Sequence, residues 1–447
     1  MSYYFIGIGG IGMSGLARIL LQKGCKVSGS DAAKSYVTDG LVEAGAKVFI
    51  GHSEEQLPAD AQVVYSTEIS ATNPEMMAAK KRNQKILHRS DLLFELMSDK
   101  KVLAITGTHG KTTTSSLLTH VFSEANRDPS FAVGGLLQGR EINGAHGKSP
   151  YFIAEADESD GTFLKYSCEG AIVTNIDNDH LAHFGTWDNL VEAFKTFTSR
   201  IKNRDLLFYC KDDPTLASLG INGTSYGFSE DADFCIKNFN QNGLQITYDI
   251  QHKGKLYKNI LCNLAGRHNA LNSCAVFGLA LALGLTPEEI LPGLASFCGV
   301  KRRLEKKGEA KGIVAFDDYA HHPSEIRATL RALRSYVGDR SLVAVFQPHR
   351  YSRMRYVMKD FDHIFDDADI VVVTDLFTAR ETPVPGVTTE AIIEEIQKTH
   401  PNCLYMARDE LVEQLAASVP TTGVVITLGA GDITKVGKEL IEHVLRT

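Results

Sequence analysis

Long apolar runs are missing from this chain. Its most hydrophobic stretch, residues 274–285, falls short of the roughly 20 residues a helix needs to span a bilayer, so a membrane protein is not expected. Runs of like charge are missing too: 47 basic side chains stand against 54 acidic ones, a net charge of −7 spread along the sequence. That spread argues against nucleic acid or an acidic membrane surface as the main partner, while leaving room for a local basic pocket that takes an anionic small molecule. None of the eight cysteines forms a Cys-x-x-Cys pair, so neither a zinc ribbon nor a redox dithiol is indicated, and buried free thiols in a reducing compartment are expected. The start, Met1-Ser2-Tyr3-Tyr4-Phe5-Ile6, lacks the basic region of a secretory signal, and the expected location is the cytoplasm. Internal repeats and low-complexity tracts are absent as well. What is present is the balance of a globular protein, 43 % hydrophobic and 23 % charged over 447 residues, too long for one ordinary core and therefore two or three domains.

Short apolar runs alternate with helical periods from the outset. Strands are expected at 4–8, 26–30, 47–50 and 63–66, with helices at 12–23, 36–44 and 73–82; such alternation means a parallel sheet covered by helices. The pattern restarts after the polar stretch 98–101, with strands at 102–106, 151–155 and 171–176 and a helix at 111–126. Between 225 and 261 it changes to short alternating strands with Asn-Gly and Lys-Gly turns, an antiparallel portion. Helices return at 268–283 and 287–297. The basic, glycine-containing stretch 299–312 reads as a linker, and a third α/β run follows it.

Chemistry concentrates first in Thr106-Gly107-Thr108-His109-Gly110-Lys111-Thr112-Thr113, after a strand and opening a helix. Backbone N–H groups of such a turn, with the positive helix end, cradle phosphate oxygens; Lys111 can reach the terminal phosphates and the Thr112 hydroxyl can bind magnesium. The usual first glycine of a P-loop is replaced by Ile105, and Gly107 is the glycine available. A second turn, Gly7-x-Gly9-x-x-Gly12 with Asp31 at the end of the next strand, fits a dinucleotide fingerprint; taken alone it suggests NAD, or a tight turn with no ligand. Acids and an imidazole then cluster at two strand ends, Glu155-Ala156-Asp157-Glu158-Ser159-Asp160 and Asn175-Ile176-Asp177-Asn178-Asp179-His180. Ends of parallel strands face the ligand crevice, so Glu155 and His180 are candidate magnesium supports, the bland alternative being a solvated loop. His268, Asn269 and Asn272 open a helix, where Asn269 and Asn272 share a face and can hold a purine or ribose; Asn269 can equally cap the helix. In the last third, Asp317-Asp318-Tyr319-Ala320-His321-His322-Pro323 is followed by Gln347-Pro348-His349-Arg350-Tyr351-Ser352-Arg353. If helical, Arg350 and Arg353 are neighbours able to grip a carboxylate.

Together these strings, with Gly7-Ile-Gly-Gly-Ile-Gly-Met-Ser-Gly15 and Gly429-Ala-Gly-Asp432, resemble the Mur ligases, ATP-dependent amide ligases of bacterial cell-wall precursor synthesis, over essentially the whole chain. The resemblance implies an α/β protein of three domains: 1–98, Rossmann-like, for a UDP-sugar; 99–298, a central P-loop ATPase-like parallel sheet with a small antiparallel portion; and 299–447, Rossmann-like, for the amino acid and closing the site. It implies that Gly9, Gly10, Gly12 and Asp31 face the UDP moiety. Gly107, Thr108, His109, Gly110, Lys111, Thr112 and Thr113, with His268, Asn269 and Asn272, would bind ATP. Thr112, Glu155 and His180 would serve magnesium or manganese, while Tyr319, His321, Arg350 and Arg353 would position the amino acid and the reacting carboxylate. The catalytic set implied is Lys111, His180, His321 and Arg350, and the substrates are ATP, UDP-N-acetylmuramate and L-alanine, in a monomer or weak homodimer without membrane or nucleic acid. Two departures stand out: relatives usually carry an aspartate where Ala182 stands, and Lys195 falls where several sister ligases have a carbamylated lysine.

A carboxylate acylates poorly because an attacking amine would have to expel oxide, so phosphorylating it first supplies a leaving group. The alternatives are a sister ligase with another acceptor, such as a recycled tripeptide; an NAD-dependent dehydrogenase, resting on Gly7–Gly12 and Asp31; and a nucleotide switch.

Overall fold

The computed structural model describes every residue except Asp160, His180 and Thr421, and for Leu181 and Ala182 it describes the backbone alone. By contact the chain separates into two compact units. One holds Met1–Lys237, Asp249–Ile260 and Leu271–Cys298; the other holds Asn238–Tyr248, Leu261–Ala270 and Gly299–Thr447.

Three sheets carry the described residues. The first contains β1 (Ser2–Ile6), β2 (Lys26–Asp31), β3 (Lys47–Ile50), β4 (Gln62–Tyr65) and β5 (Ile86–His88), in the order β3-β2-β1-β4-β5. All its pairings are parallel. Tyr4, Phe5 and Ile6 of β1 are wholly buried, as a central strand covered by helices on both faces demands. The order reverses between β1 and β4, and the glycine turn after β1 opens there, at the carboxyl ends of the strands where such sheets bind ligands.

The second sheet contains β6 (Lys101–Thr106), β7 (Ser130–Ala132), β8 (Gly144–Ala145), β9 (Tyr151–Glu155), β10 (Gly170–Val173), β11 (Leu207–Cys210), β12 (Thr224–Gly227), β13 (Phe234–Asn242), β14 (Gln245–His252) and β15 (Lys255–Cys262). Its order is β15-β14-β13-β12-β11-β10-β6-β9-β7-β8. β6 lies between β9 and β10, parallel to both, so the phosphate turn that follows it has acidic strand ends on either side. β13 to β15 are hydrogen-bonded neighbours joined by two-residue connections, which only antiparallel hairpins allow. Lys253 and Gly254, with φ of 46° and 78°, supply the left-handed pair that a tight hairpin turn requires.

The third sheet contains β16 (Glu305–Ala310), β17 (Ile313–Asp318), β18 (Leu342–Phe346), β19 (Ile370–Val373), β20 (Cys403–Tyr405) and β21 (Val424–Leu428), in the order β16-β17-β21-β18-β19-β20. Alternate residues of its central strands enter opposite cores. Val314, Phe316, Leu342, Ala344 and Phe346 pack with Ile326, Leu330 and Leu333 of the helix Pro323–Val337. Ile313, Ala315, Val343 and Val345 pack with Val436, Leu440 and Val444 of the helix Val436–Arg446. That period of two is the pleat itself.

One expectation fails here. The stretch 299–312 is not a linker, because Glu305–Ala310 forms an antiparallel edge strand on β17. Its sequence, Glu-Lys-Lys-Gly-Glu-Ala, lacks the alternation of a half-buried strand, and the register shifts between Lys306 and Gly308. Charge and a bulge are ways an edge strand avoids pairing with another chain, and they also hide it from a reading based on hydrophobic pattern. All eight cysteines are free; six are buried, while Cys25 is partly exposed and Cys298 exposed.

Candidate active site

The turn after β6 requires glycine at two positions. Gly107 and Gly110 have φ of 125° and 84°, and a side chain on Gly107 would begin 2.1 Å from the Thr174 hydroxyl. Gly110 is the N-cap of the helix Lys111–Glu124 and has no side chain to satisfy its first N–H groups, which leaves them to a ligand. The end of β10 braces the turn. The Thr174 hydroxyl donates to the His109 carbonyl at 2.6 Å, the His109 N–H donates to Asn175 Oδ1 at 2.9 Å, and the His109 ring meets Asp177 at 2.9 Å. Thr108, Lys111, Thr112 and Thr113 follow in register, with Thr112 buried and Thr113 half-buried.

Lys111 folds back over its own turn. Its ammonium donates to the Gly107 carbonyl at 2.7 Å, to the Thr108 carbonyl at 3.0 Å and to Glu158 at 2.9 Å. Burial alone would lower its pKa, but Glu158, Asp157 and Glu155 outweigh it and raise it, so the charge is retained. Glu158 is wholly buried, and burial pushes it up to about 7 against the pull of Lys111. The Thr112 hydroxyl donates to both oxygens of Glu155, at 3.0 and 3.2 Å, and the Gly134 N–H donates to Glu155 Oε2 at 2.9 Å. A hydroxyl and a carboxylate this close are hard oxygen donors of the kind Mg2+ takes. Glycine at 134 keeps the space beside them open, since a side chain there would begin 2.5 Å from Glu155 and 2.8 Å from Thr112. His180 lies outside the described residues, and so does the side chain of Ala182.

On the helix Arg267–Ala282, Asn272 reaches the phosphate turn: its Oδ1 would lie 3.1 Å from a side chain on Gly110. Asn269, three residues earlier, donates to the Ala265 carbonyl at 2.8 Å, tying down the helix entry. Burial pushes His268 down to about 4, so its ring is neutral at pH 7.

The glycine turn after β1 is closed by Asp31, whose Oδ2 accepts from the Gly9 N–H at 2.9 Å and whose Oδ1 accepts from the Ala33 N–H at 3.3 Å. Gly10 is the N-cap of the helix Ile11–Gln22, and Gly12 lies in its first turn. Ser14 and Gly15 have a packing role instead. Asn143 donates to the Ile11 carbonyl and to Ser14 at 3.0 Å, and Gly144 approaches Gly15 so closely that a side chain would begin 2.5 Å from its carbonyl. The sequence reading misses Arg89, whose guanidinium lies across Gly12, 3.3 Å from where a side chain would start, and reaches Asp157 at 3.5 Å. Its signal is local: a cation in the first turn of the helix Arg89–Met97 opposes the helix dipole.

In the second unit, Tyr319, His321, Arg350 and Arg353 come together at the carboxyl ends of β17 and β18. Tyr319 has Arg302 and Arg303 over its ring at 4.8 and 5.2 Å. His321 Nδ1 meets the Tyr319 carbonyl at 2.9 Å, a contact that orients the ring. Arg350 takes a φ of 67° just before the helix Tyr351–Val357, and such strain in a non-glycine residue is characteristic of a site held for function. Arg353 donates to His349 Nδ1 at 3.1 Å, and His349 stacks on Phe377. Burial, then Arg353, pushes His349 down to about 3, which keeps it a neutral acceptor. Arg302 donates to the Gly429, Ala430 and Gly431 carbonyls at 2.7, 3.3 and 3.3 Å, fixing the Gly429–Asp432 turn. His349, Arg302 and Phe377 escape the sequence reading because one is hidden beside the arginines, one sits in the expected linker, and Phe377 lies in a loop without pattern.

Lys195 does not join this chemistry. Its side chain is 60 % exposed on the helix Trp187–Ser199 and pairs with Glu192 at 3.7 Å.

Two glycine turns at the carboxyl ends of parallel sheets, one with a lysine and a threonine–acid couple beside it, give the architecture of an α/β nucleotide-using enzyme. Three family models match in series: the Mur ligase family catalytic domain over residues 2–101, the Mur ligase middle domain over 105–280, and the Mur ligase glutamate ligase domain over 302–431. The chain therefore belongs to the Mur ligase family of ATP-dependent amide ligases. It is 47 % identical to the UDP-N-acetylmuramate–L-alanine ligase of Protochlamydia amoebophila, over 98 % of this chain and 97 % of that one. It is 42 % identical to the bifunctional enzyme MurC/Ddl of Chlamydia caviae, over 98 % of this chain, and spans 54 % of that longer protein. The crystal structure of the UDP-N-acetylmuramate–alanine ligase MurC of Thermotoga maritima superposes with a TM-score of 0.86 at 27 % identity, covering 100 % of this chain and 99 % of that one. No helix among the described residues is long and apolar enough to cross a membrane.

Proposed function

We propose that this chain joins L-alanine to the carboxylate of UDP-N-acetylmuramate, with ATP as co-substrate and Mg2+ as cofactor, in the cytoplasm where those nucleotides are supplied. The observation that carries the reading is the turn at Lys111: a partly buried ammonium on the glycine turn, next to a Thr112–Glu155 couple suited to a divalent cation. Residues 1–98 would take the UDP-sugar, with Gly9, Gly10, Gly12 and Asp31 shaping the turn and Arg89 supplying the cation for the diphosphate. Residues 99–298 would take ATP on the 107–113 turn, with Asn269 and Asn272 toward the nucleoside. Residues 299–447 would take the amino acid, Arg350 and Arg353 gripping its carboxylate by the guanidinium fork.

Lys111 would neutralise charge on the γ-phosphoryl group as an oxygen of the muramoyl carboxylate attacks phosphorus and the bond to ADP breaks. Thr112, Glu155 and, outside the described residues, His180 would hold the Mg2+, which supplies charge neutralisation on the phosphates. The free amine of L-alanine then attacks the acyl carbon. Phosphate departs with its electron pair, and the amine's proton leaves to a base, for which His321 is the candidate. Bringing the reactants together can contribute roughly 7–11 kcal/mol in favourable cases, so positioning by these turns accounts for much of the catalysis.

Phosphate release decides the matter. It should require both UDP-N-acetylmuramate and an amino acid, with L-alanine the best acceptor, and oxygen label from the carboxylate should appear in the phosphate. Release that depends on a tripeptide instead would reassign the acceptor. Release independent of either substrate would refute the ligase reading.

A further inference from the structure

We propose that Glu381 is a positioning residue for the amino-acid substrate, holding the start of the helix Tyr351–Val357 so that Arg350 and Arg353 form one fixed guanidinium pair. The inference rests on the reading of these two arginines given above. Glu381 lies in the loop after β19, outside every motif that the sequence displays. Its carboxylate grips Ser352 twice: Oε2 accepts from the Ser352 N–H at 2.9 Å, and Oε1 accepts from the Ser352 hydroxyl at 2.7 Å. Ser352 stands between the two arginines in the chain, so fixing its position and rotation fixes theirs.

The helix cannot supply this hold for itself. It has seven residues, and so short a helix is not stable alone. Arg350, at its N-cap, makes no side-chain cap bond, which leaves the first N–H groups in need of partners. Met354 and Val357 anchor one side of the helix, both buried in the core of this unit. Glu381 anchors the end that carries the arginines, and a carboxylate suits that end because the helix dipole is positive there. Water satisfies an exposed N–H but fixes no position. The loop is shaped to deliver this carboxylate. At Phe377 it runs beside the arginine segment: the Arg350 N–H donates to the Phe377 carbonyl at 2.9 Å and the Phe377 N–H donates to the Pro348 carbonyl at 2.8 Å. The Phe377 ring stacks on His349, which accepts from Arg353. The chain then turns through Ala379 and Arg380, with φ of 48° and 67°, and the Glu381 N–H donates to the Thr378 carbonyl at 2.9 Å. Left-handed backbone at two successive non-glycine residues is costly, and what it achieves here is to bring the carboxylate back to Ser352. Burial alone would raise the Glu381 carboxyl, but Ser352, then Arg350 and Arg353, outweigh burial and hold it below its ordinary value. An arginine pair ordered in advance binds a carboxylate more tightly, because the ordering cost no longer falls on the ligand.

The test is phosphate release by the full chain, with KM measured for L-alanine, UDP-N-acetylmuramate and ATP in turn. Glu381→Ala should lower kcat/KM for L-alanine about tenfold, mainly through KM, as the loss of charge-assisted bonds in a half-exposed setting predicts. KM for ATP and for UDP-N-acetylmuramate should stay within about twofold of wild type, because the loss is confined to the binding of one substrate. Glu381→Gln, whose amide oxygen still accepts one bond, should fall between, and so should Ser352→Ala, which keeps its N–H. Those two variants carry the test if Glu381→Ala fails to fold. An unchanged KM for L-alanine in Glu381→Gln and Ser352→Ala overturns the inference and leaves the ligase reading standing. Equal losses for all three substrates overturn it as well, since a merely structural role would spread that way. Failure of wild type to release phosphate in response to UDP-N-acetylmuramate and L-alanine overturns the ligase reading itself and the inference with it.

Discussion

Gly134 offers a way to disturb the couple at the phosphate turn without altering either member. Its backbone lies outside the left-handed region, so alanine meets no conformational penalty, but the new methyl would begin 2.5 Å from Glu155 Oε2 and 2.8 Å from both Glu155 Oε1 and Thr112 Oγ1. Ordinary contact starts at 3.4 Å, so the Glu155 carboxylate must retreat by 0.9 Å, the difference between 3.4 and 2.5 Å. Retreat stretches three bonds at once: two from the Thr112 hydroxyl and one from the Gly134 N–H. A misplacement of about 1 Å in a catalytic frame costs about 10²-fold in rate, or about 2.7 kcal/mol of barrier. Gly134→Ala should therefore release phosphate about 100-fold more slowly, with the Mg2+ requirement moved to higher concentration. Its urea midpoint should fall by the equivalent of about 1–3 kcal/mol, because the clash pulls a part-buried carboxylate from its donors, so turnover is compared without urea at a temperature where both proteins are folded. Titrating Mg2+ at saturating substrates reads both effects. Wild-type turnover at every Mg2+ concentration would show that the position of Glu155 over Thr112 is immaterial to the reaction.

Glu75 is wholly buried in the first unit and accepts from Tyr4 at 2.7 Å, Ser30 at 2.6 Å and the Ser53 N–H at 3.3 Å, with the His52 ring at 3.0 Å. Glu75→Ala strands those donors and should cost about 3–5 kcal/mol, read as a lower urea midpoint. His349 is held neutral far below an ordinary histidine, so the unfolded chain binds its proton first as pH falls from about 6.5. Native stability from this group is complete above that pH and is lost on acidification toward about 3. The stability of wild type relative to His349→Gln should fall by about 1.4 kcal/mol per pH unit between pH 6 and 4, and parallel curves would contradict the burial argument. Lys195→Met should leave phosphate release unchanged and shift stability by no more than about 0.5 kcal/mol, and intact mass should show a bare amine. A large loss of activity would show that Lys195 takes part in the reaction despite its exposed position.

What the sequence determined by itself was local. Chemistry at the phosphate turn follows from residues adjacent in the chain, where Gly107, Gly110, Lys111 and Thr112 need only a strand before them and a helix after. The alternation of apolar runs likewise specified parallel sheets, because burial on both faces leaves few other solutions. Tertiary structure decided everything that depends on residues far apart meeting. Arg89 reaches Gly12 and Asp157 only because β5 pairs beside β4 and sets its helix there. Gly134 matters only because β7 lies beside β9 and brings it to Glu155. Arg302 reads as one charge in a basic stretch until β16 folds onto β17 and aims it at the Gly429–Asp432 carbonyls. Hydrophobic period records which face of an element is buried, but hydrogen bonds between distant segments leave no period behind.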